Sequence, residues 1–270
     1  MNRNNPKLAQ RKALMDNLIP YIYTAISLYE AVLDLFQLGW ARNIIKPLLA
    51  ITLVVYFHVK TQESSSTFRQ FAFYGLFALF LSEFLAVFPQ DNEGIQLLNR
   101  LVAAVAFVLL AVAFTYNIIE GKIDTGIPFV AAFAAPYIIF GIVVFSVVKG
   151  GLHHGKILTF VYLLAMLAMG IQSAVRNFNT NSRSFKYTAF GAGVFVFCEC
   201  ILLILQARGL KVGLIRSAAI FGKSLGAFSI MTGCLEHVNY FDIQKKELLG
   251  QSLFGGSGAR GKRIERPKTM

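Results

Sequence analysis

The chain has 270 residues, of which 56% are hydrophobic and only 15% charged, against about 25% charged in an ordinary soluble domain. So few polar side chains exclude a water-soluble fold of this size. The net charge of +12 is drawn heavily from the two tails and forms no folded basic face, which argues against nucleic-acid binding.

Lipid is the solvent that suits such a chain, and a helix needs about 20 largely apolar residues to cross a hydrocarbon core about 30 Å thick. The first 17 residues form a basic tail with Arg3, Lys7, Arg11 and Lys12. The hydrophobic run behind it is too long for a signal peptide and lacks a cleavage site, so it is a retained first helix. Spans are predicted near 18–38, 43–59, 68–88, 97–117, 126–148, 156–175, 187–207 and 213–236. Turn and breaker residues separate them, among them Pro89, Gly94, Gly121, Gly150 and Asn177. Pro136 marks a kink candidate in the fifth span. Residues 238–270 read as a basic, largely disordered C-terminal tail, rich in Gly, Arg and Lys from Gly255 onward.

The fold class that follows is all-α: a polytopic membrane bundle of about eight transmembrane helices, with 18–237 as the transmembrane domain. The Lys and Arg bias places both termini in the cytoplasm, where the tails suit an anionic leaflet. In a eukaryote the expected location is the endoplasmic reticulum or another intracellular membrane.

Ionisable groups inside a span are costly and are functional candidates by default. They are Glu30 and Asp34 in the first span, Glu83 in the third, Glu199 in the seventh and Lys223 in the eighth, with Lys46 near the start of the second. If alternate helices run in opposite directions, Glu30, Glu83 and Glu199 lie roughly 18, 22 and 18 Å along their spans. The acids therefore share one layer, with basic residues close to it. Glu30 and Asp34, four residues apart, can pair with helical neighbours, and Glu83 is near enough to a span end to snorkel. Glu199 has apolar sequence on both sides and is the strongest single candidate, against the plainer alternative that it pairs with a structural partner such as Lys223.

His153 and His154 lie in a turn without nearby acids, and His58 and His237 lie near span ends, where solvation is expected. No metal site is read from them. Cys198, Cys200 and Cys234 fall inside hydrophobic segments and are expected to be buried, inert thiols. The chain carries no nucleophile elbow, phosphate-binding loop or dinucleotide fingerprint.

Four stretches carry a family resemblance: Ile45-Lys46-Pro47-Leu48-Leu49; Gly75-Leu76 through Leu81-Ser82-Glu83; Val161-Tyr162 with Met169-Gly170; and Gly191-Ala192-Gly193-Val194-Phe195-Val196-Phe197-Cys198-Glu199. In order and spacing they resemble the lysoplasmalogenase (YhhN-like) family of eight-helix membrane proteins, over most of residues 18–236. The chain departs from the family pattern at several positions. Glu83 and Glu199 stand where the family has aspartates, and Gln172 stands in place of an arginine. The fourth span lacks the family's histidine, and a stretch containing Lys223 replaces a Tyr-x-x-Gln region.

The resemblance implies hydrolysis of the vinyl ether bond of a lysoplasmalogen, giving a fatty aldehyde and glycerophospho-ethanolamine or -choline, without a cofactor. Glu83 and Glu199 would be the catalytic pair, one as acid and the other as stabilising base. Lys46 is expected to meet the substrate phosphate, with Tyr162, Gln172 and Lys223 also on the substrate. The expected partner is a membrane lysophospholipid, with no nucleic acid; a homo-oligomer or a membrane-complex partner stays open. The missing motif residues favour the alternative, a catalytically lapsed member serving as a lipid-binding or structural subunit of a larger complex.

Overall fold

The computed structural model describes residues 6–88, 92–121, 127–151, 155–176, 180–210 and 212–254. They form α1 (Pro6–Leu35), α2 (Gly39–Thr61), α3 (Thr67–Leu85), α4 (Glu93–Gly121), α5 (Ile127–Val148), α6 (Lys156–Val175), α7 (Ser182–Arg208) and α8 (Gly213–Phe254), with one short 3-10 turn after α5. All eight helices are long and apolar enough to cross a membrane, and no strand occurs among the described residues. The chain is an eight-helix integral membrane bundle.

Local sequence explains where several helices begin and end. The Ser66 hydroxyl accepts the Arg69 backbone N–H at the start of α3, and the Asn181 side chain accepts that of Arg183 at the start of α7, each satisfying an otherwise orphaned donor. Helix α7 stops at Gly209, whose φ of 63° is the left-handed conformation that glycine adopts at little cost. Pro20, Pro47 and Pro136 all lie within continuous helices, so the kink candidate at Pro136 does not end α5. Spanning helices tolerate proline because neighbouring helices and local adjustment re-satisfy the freed carbonyls.

Hydropathy places the spans well and the helix ends less well. Helix α1 begins at Pro6, inside the stretch expected to be a tail, and α8 continues to Phe254, well past the expected boundary at 237. Both extensions are too polar for a span rule to register, although nothing in them stops a helix. Residues 255–270 and the turn histidines His153 and His154 lie outside the described residues.

Seven helices close on one another in the order α1, α2, α3, α4, α6, α7, α8, while α5 packs from outside against α6 and α7. Large apolar side chains on the outer surface, such as Ile139, Ile142 and Phe190, are more than half exposed, as lipid-facing positions must be. The interior is packed by Phe57, Phe68, Phe107, Leu110, Phe114, Met166, Met169 and Met231. Helices α7 and α8 approach most closely where Gly191 meets Gly226 and Ile230, and where Gly233 meets Ser184 and Thr188. A β-carbon at Gly191 or Gly233 would fall within 3 Å of backbone atoms of the other helix. Small residues at such crossings let backbones approach in a membrane, where packing and hydrogen bonds drive association.

At the end of the bundle where α2 leads into α3, Arg176 is wholly buried, lying over the rings of Phe68 and Phe114 and donating to Thr188 and Ser184. His237 is also buried, with its Nδ1 at 3.1 Å from the Thr180 hydroxyl and its ring against Phe68 and Phe241. The solvation expected for His237 is thus replaced by packing: α8 does not end near it, and Phe241 in its continuation packs on the ring.

Candidate active site

A cavity of about 500 Å3 enters the other end of the bundle, inside the ring of helices. It is lined by the C-terminal halves of α1, α3 and α7 and the N-terminal halves of α2, α4, α6 and α8. Its outer part carries Arg42, Gln96, Asn99, Arg100, Gln206 and Arg216, and its inner wall carries apolar side chains including Leu53, Leu76, Phe107, Phe195 and Ile220. A polar entrance above an apolar wall suits an amphiphile.

Three of the acids expected in one layer line this cavity: Glu30, Glu83 and Glu199. Lys223 stands between the last two, with its ammonium 2.9 Å from Glu83 Oε1 and 2.7 Å from Glu199 Oε2. Lys46 reaches Glu83 from the other side, at 2.6 Å from Oε2. The Tyr162 hydroxyl donates to Glu199 Oε1. These contacts make one chain across five helices: Lys46 (α2), Glu83 (α3), Lys223 (α8), Glu199 (α7) and Tyr162 (α6).

Each helix brings its group to this point for a local reason. Gly191 and Gly226 let α7 and α8 touch, which holds Glu199 and Lys223 in register one to two turns further along the pair. Gly75 lies against Leu110 and the Ala106 carbonyl, seating α3 on α4. Phe107 packs against both Tyr162 and Phe195 at ring distances of 5.4 and 5.6 Å, and the Lys223 ammonium lies 5.5 Å from the centre of the Phe195 ring. Aromatic packing thus walls the charged chain on one side, where a lower local dielectric strengthens its hydrogen bonds.

Within this site the two glutamates differ. Glu83 lies between two ammonium groups, and Glu199 shares one of them and accepts a phenol. Glu30 is buried and accepts the Ser224 hydroxyl at 3.2 Å, with no cation within 4.0 Å among the described residues. Asp34, one turn further along α1, belongs to a separate cluster: it pairs with Arg42 at 2.7 Å and Arg216 at 3.4 Å and accepts the Ser217 hydroxyl.

Of the residues singled out from sequence, Lys46, Glu83, Tyr162, Glu199 and Lys223 meet in this site. Glu83 does not snorkel, because Lys46 and Lys223 hold it inward. Lys46 lines the cavity with its ammonium paired to Glu83. Gln172 does not line the cavity; it stands ten positions beyond Tyr162 on α6, about 15 Å along the axis. The cavity arginines Arg42, Arg100 and Arg216 were missed because basic residues near span ends read as topology signals; only their position at one common end of the bundle could have flagged them. All three cysteines are buried free thiols.

A family model described as the YhhN family matches residues 41–231, which takes in every member of the charged chain. Neither the curated proteins nor the solved structures compared with the chain give a match.

Proposed function

The chain belongs to the YhhN family, and from that premise we propose that it is a membrane hydrolase cleaving the vinyl ether bond of lysoplasmalogens. The observation that carries the reading is the pair Glu83 and Glu199, joined through Lys223 inside a cavity with a polar entrance and an apolar wall.

Vinyl ether hydrolysis needs a proton delivered to carbon, a stabilised oxocarbenium ion and a water molecule attacking it. In this reading the Glu199 carboxyl delivers its proton to the vinyl carbon β to the ether oxygen, the one that bears the alkyl chain, and becomes the carboxylate that Lys223 and Tyr162 hold. Glu83 keeps its negative charge between two lysines, stabilises the cation and takes the proton from the attacking water, as in a glycosidase pair. The hemiacetal then collapses to a fatty aldehyde and the free glycerol hydroxyl. Lys223 contacts both carboxylates, so it can return the proton from Glu83 to Glu199 and reset the site without any external proton donor.

The apolar wall takes the alkenyl chain, and the polar entrance takes the glycerophospho headgroup. The test is release of fatty aldehyde by the purified protein in detergent. The expected outcome is release from a vinyl-ether lysophospholipid and none from its saturated alkyl-ether counterpart, which has no double bond to protonate. Equal handling of the two lipids, or no release from either, would reject the reading.

A second reading is supported by the same ion pairs. Lys223 and Lys46 compensate both glutamates fully enough to serve as structural staples, as expected of a non-catalytic lipid-binding or structural subunit. In that case the protein binds the vinyl-ether lipid and does not turn it over.

A further inference from the structure

Five cations line the cavity: Arg42, Lys46, Arg100, Arg216 and Lys223. Four of them make ion pairs. Lys46 and Lys223 hold Glu83 and Glu199, and Arg42 and Arg216 share Asp34. Arg100 differs from the rest. No carboxylate lies within 4.0 Å of it among the described residues, and its hydrogen bond goes to a neutral group, the Thr159 hydroxyl, at 2.8 Å.

A guanidinium has five N–H donors in a planar fork, and this contact uses one of them. The preceding residue, Asn99, also lines the cavity, and its side-chain oxygen accepts the Ser82 hydroxyl at 2.6 Å, which leaves its amide NH2 as a further donor. The two together present a cationic fork and an amide at the polar entrance. The chemistry that satisfies such a set is a tetrahedral oxyanion, which accepts two parallel N–H bonds from one arginine.

The position of this donor set is also specific. Thr159 precedes Tyr162 by three residues on α6, about 4.5 Å toward the bundle end. Tyr162 is the partner of Glu199. Arg100 thus stands one helical turn outside the proposed reaction centre. In a lysophospholipid the glycerol backbone separates the ether oxygen from the phosphate by a comparable step.

We propose that Arg100, with Asn99, is the headgroup subsite: it binds the phosphodiester of a lysophospholipid and thereby sets the depth to which the chain enters. The assignment rests on the lipid-hydrolase reading for its substrate class, but not on turnover. It makes Arg100 a specificity determinant for phosphate-bearing lysolipids over neutral monoalkylglycerols.

The test is equilibrium binding of two non-hydrolysable probes to the full chain in detergent: a saturated alkyl-ether lysophospholipid and the matching monoalkylglycerol without phosphate. Arg100→Gln is expected to weaken the lysophospholipid by at least about tenfold, the scale of a lost charge-assisted hydrogen bond, and to leave the monoalkylglycerol unchanged. Arg100→Lys, which keeps the charge, is expected to recover part of the loss and guards against a folding artefact. Unchanged lysophospholipid affinity in Arg100→Gln, or an equal fall for both probes, would overturn the subsite. Inorganic phosphate that binds with the same dependence on Arg100, while the lysophospholipid does not, would also overturn it by assigning Arg100 to a free anion. Because neither probe can be cleaved, this result is independent of whether aldehyde release is found.

Discussion

Replacing Glu199 by glutamine is expected to lower aldehyde release by about a hundredfold to ten-thousandfold, the usual range for loss of a positioned acid or base. The substitution keeps the side-chain volume and one acceptor oxygen, so one of the two donors that contact Glu199, Tyr162 or Lys223, keeps its partner. It removes the carboxyl that passes a proton on. Lipid binding should therefore survive, and the loss should appear in turnover at saturating substrate. Rates in Glu199→Gln within about threefold of the parent, measured beside a thermal melt that shows the variant folded, would remove Glu199 from the mechanism. Glu83→Gln provides the internal comparison. It should also be slow, since Glu83 carries the charge that meets the oxocarbenium ion and the base that activates water.

The second large effect is expected at Lys223. Its ammonium is the common partner of Glu83 and Glu199, and its side chain is only 20% exposed. Lys223→Met leaves Glu199 with Tyr162 alone and Glu83 with Lys46 alone. Removing one partner of a buried ion pair typically costs about 3–5 kcal/mol, because a charge is left uncompensated. A lower melting temperature in detergent is the expected readout, together with loss of turnover. The coupling can be read from a double-mutant cycle. Adding Glu199→Gln to Lys223→Met should restore part of the stability, with a coupling of about 0.5–3 kcal/mol, and should restore no activity. Additive stability losses would mean that the Lys223–Glu199 contact is energetically silent. Recovery of activity in the double variant would mean that neither group takes part in the chemistry.

The two charged pairs and their partners show how far the amino-acid sequence leads. The spans are legible because hydropathy reports the one property that lipid enforces. The layer of acids is legible because helical rise converts position within a span into depth. Depth alone does not say which way a side chain points, however, and rotation about each helix axis is set by packing. Glu83 and Glu199 meet Lys223 because glycines at 191 and 226 seat α7 on α8 and the glycine at 75 seats α3 on α4. That information lies in pairs of residues far apart in the chain, which a span-by-span reading does not combine.

The partners and places that a span-by-span reading does not give have the same origin. Gln172 follows Met169-Gly170 in the chain, but it lies further along α6 than the cavity reaches. His237 was expected in solvent because the span was expected to end there, whereas α8 carries on and buries it. Lys46 lines the cavity and is paired there with Glu83, a partner on another helix that its place near a span start does not announce. The arginine with no carboxylate within ion-pair distance, Arg100, is an ordinary basic residue in sequence. It stands out only once the other lining cations are seen to be paired.

The most direct test of the central claim is the mass of the aldehyde released from a vinyl-ether lysophospholipid when the reaction is run in deuterium oxide. Proton delivery to carbon by the Glu199 system predicts an aldehyde carrying one deuterium on the carbon next to the carbonyl, with its yield abolished in Glu199→Gln. No aldehyde from a folded protein that still binds the lipid, or an aldehyde without that deuterium, would contradict the account.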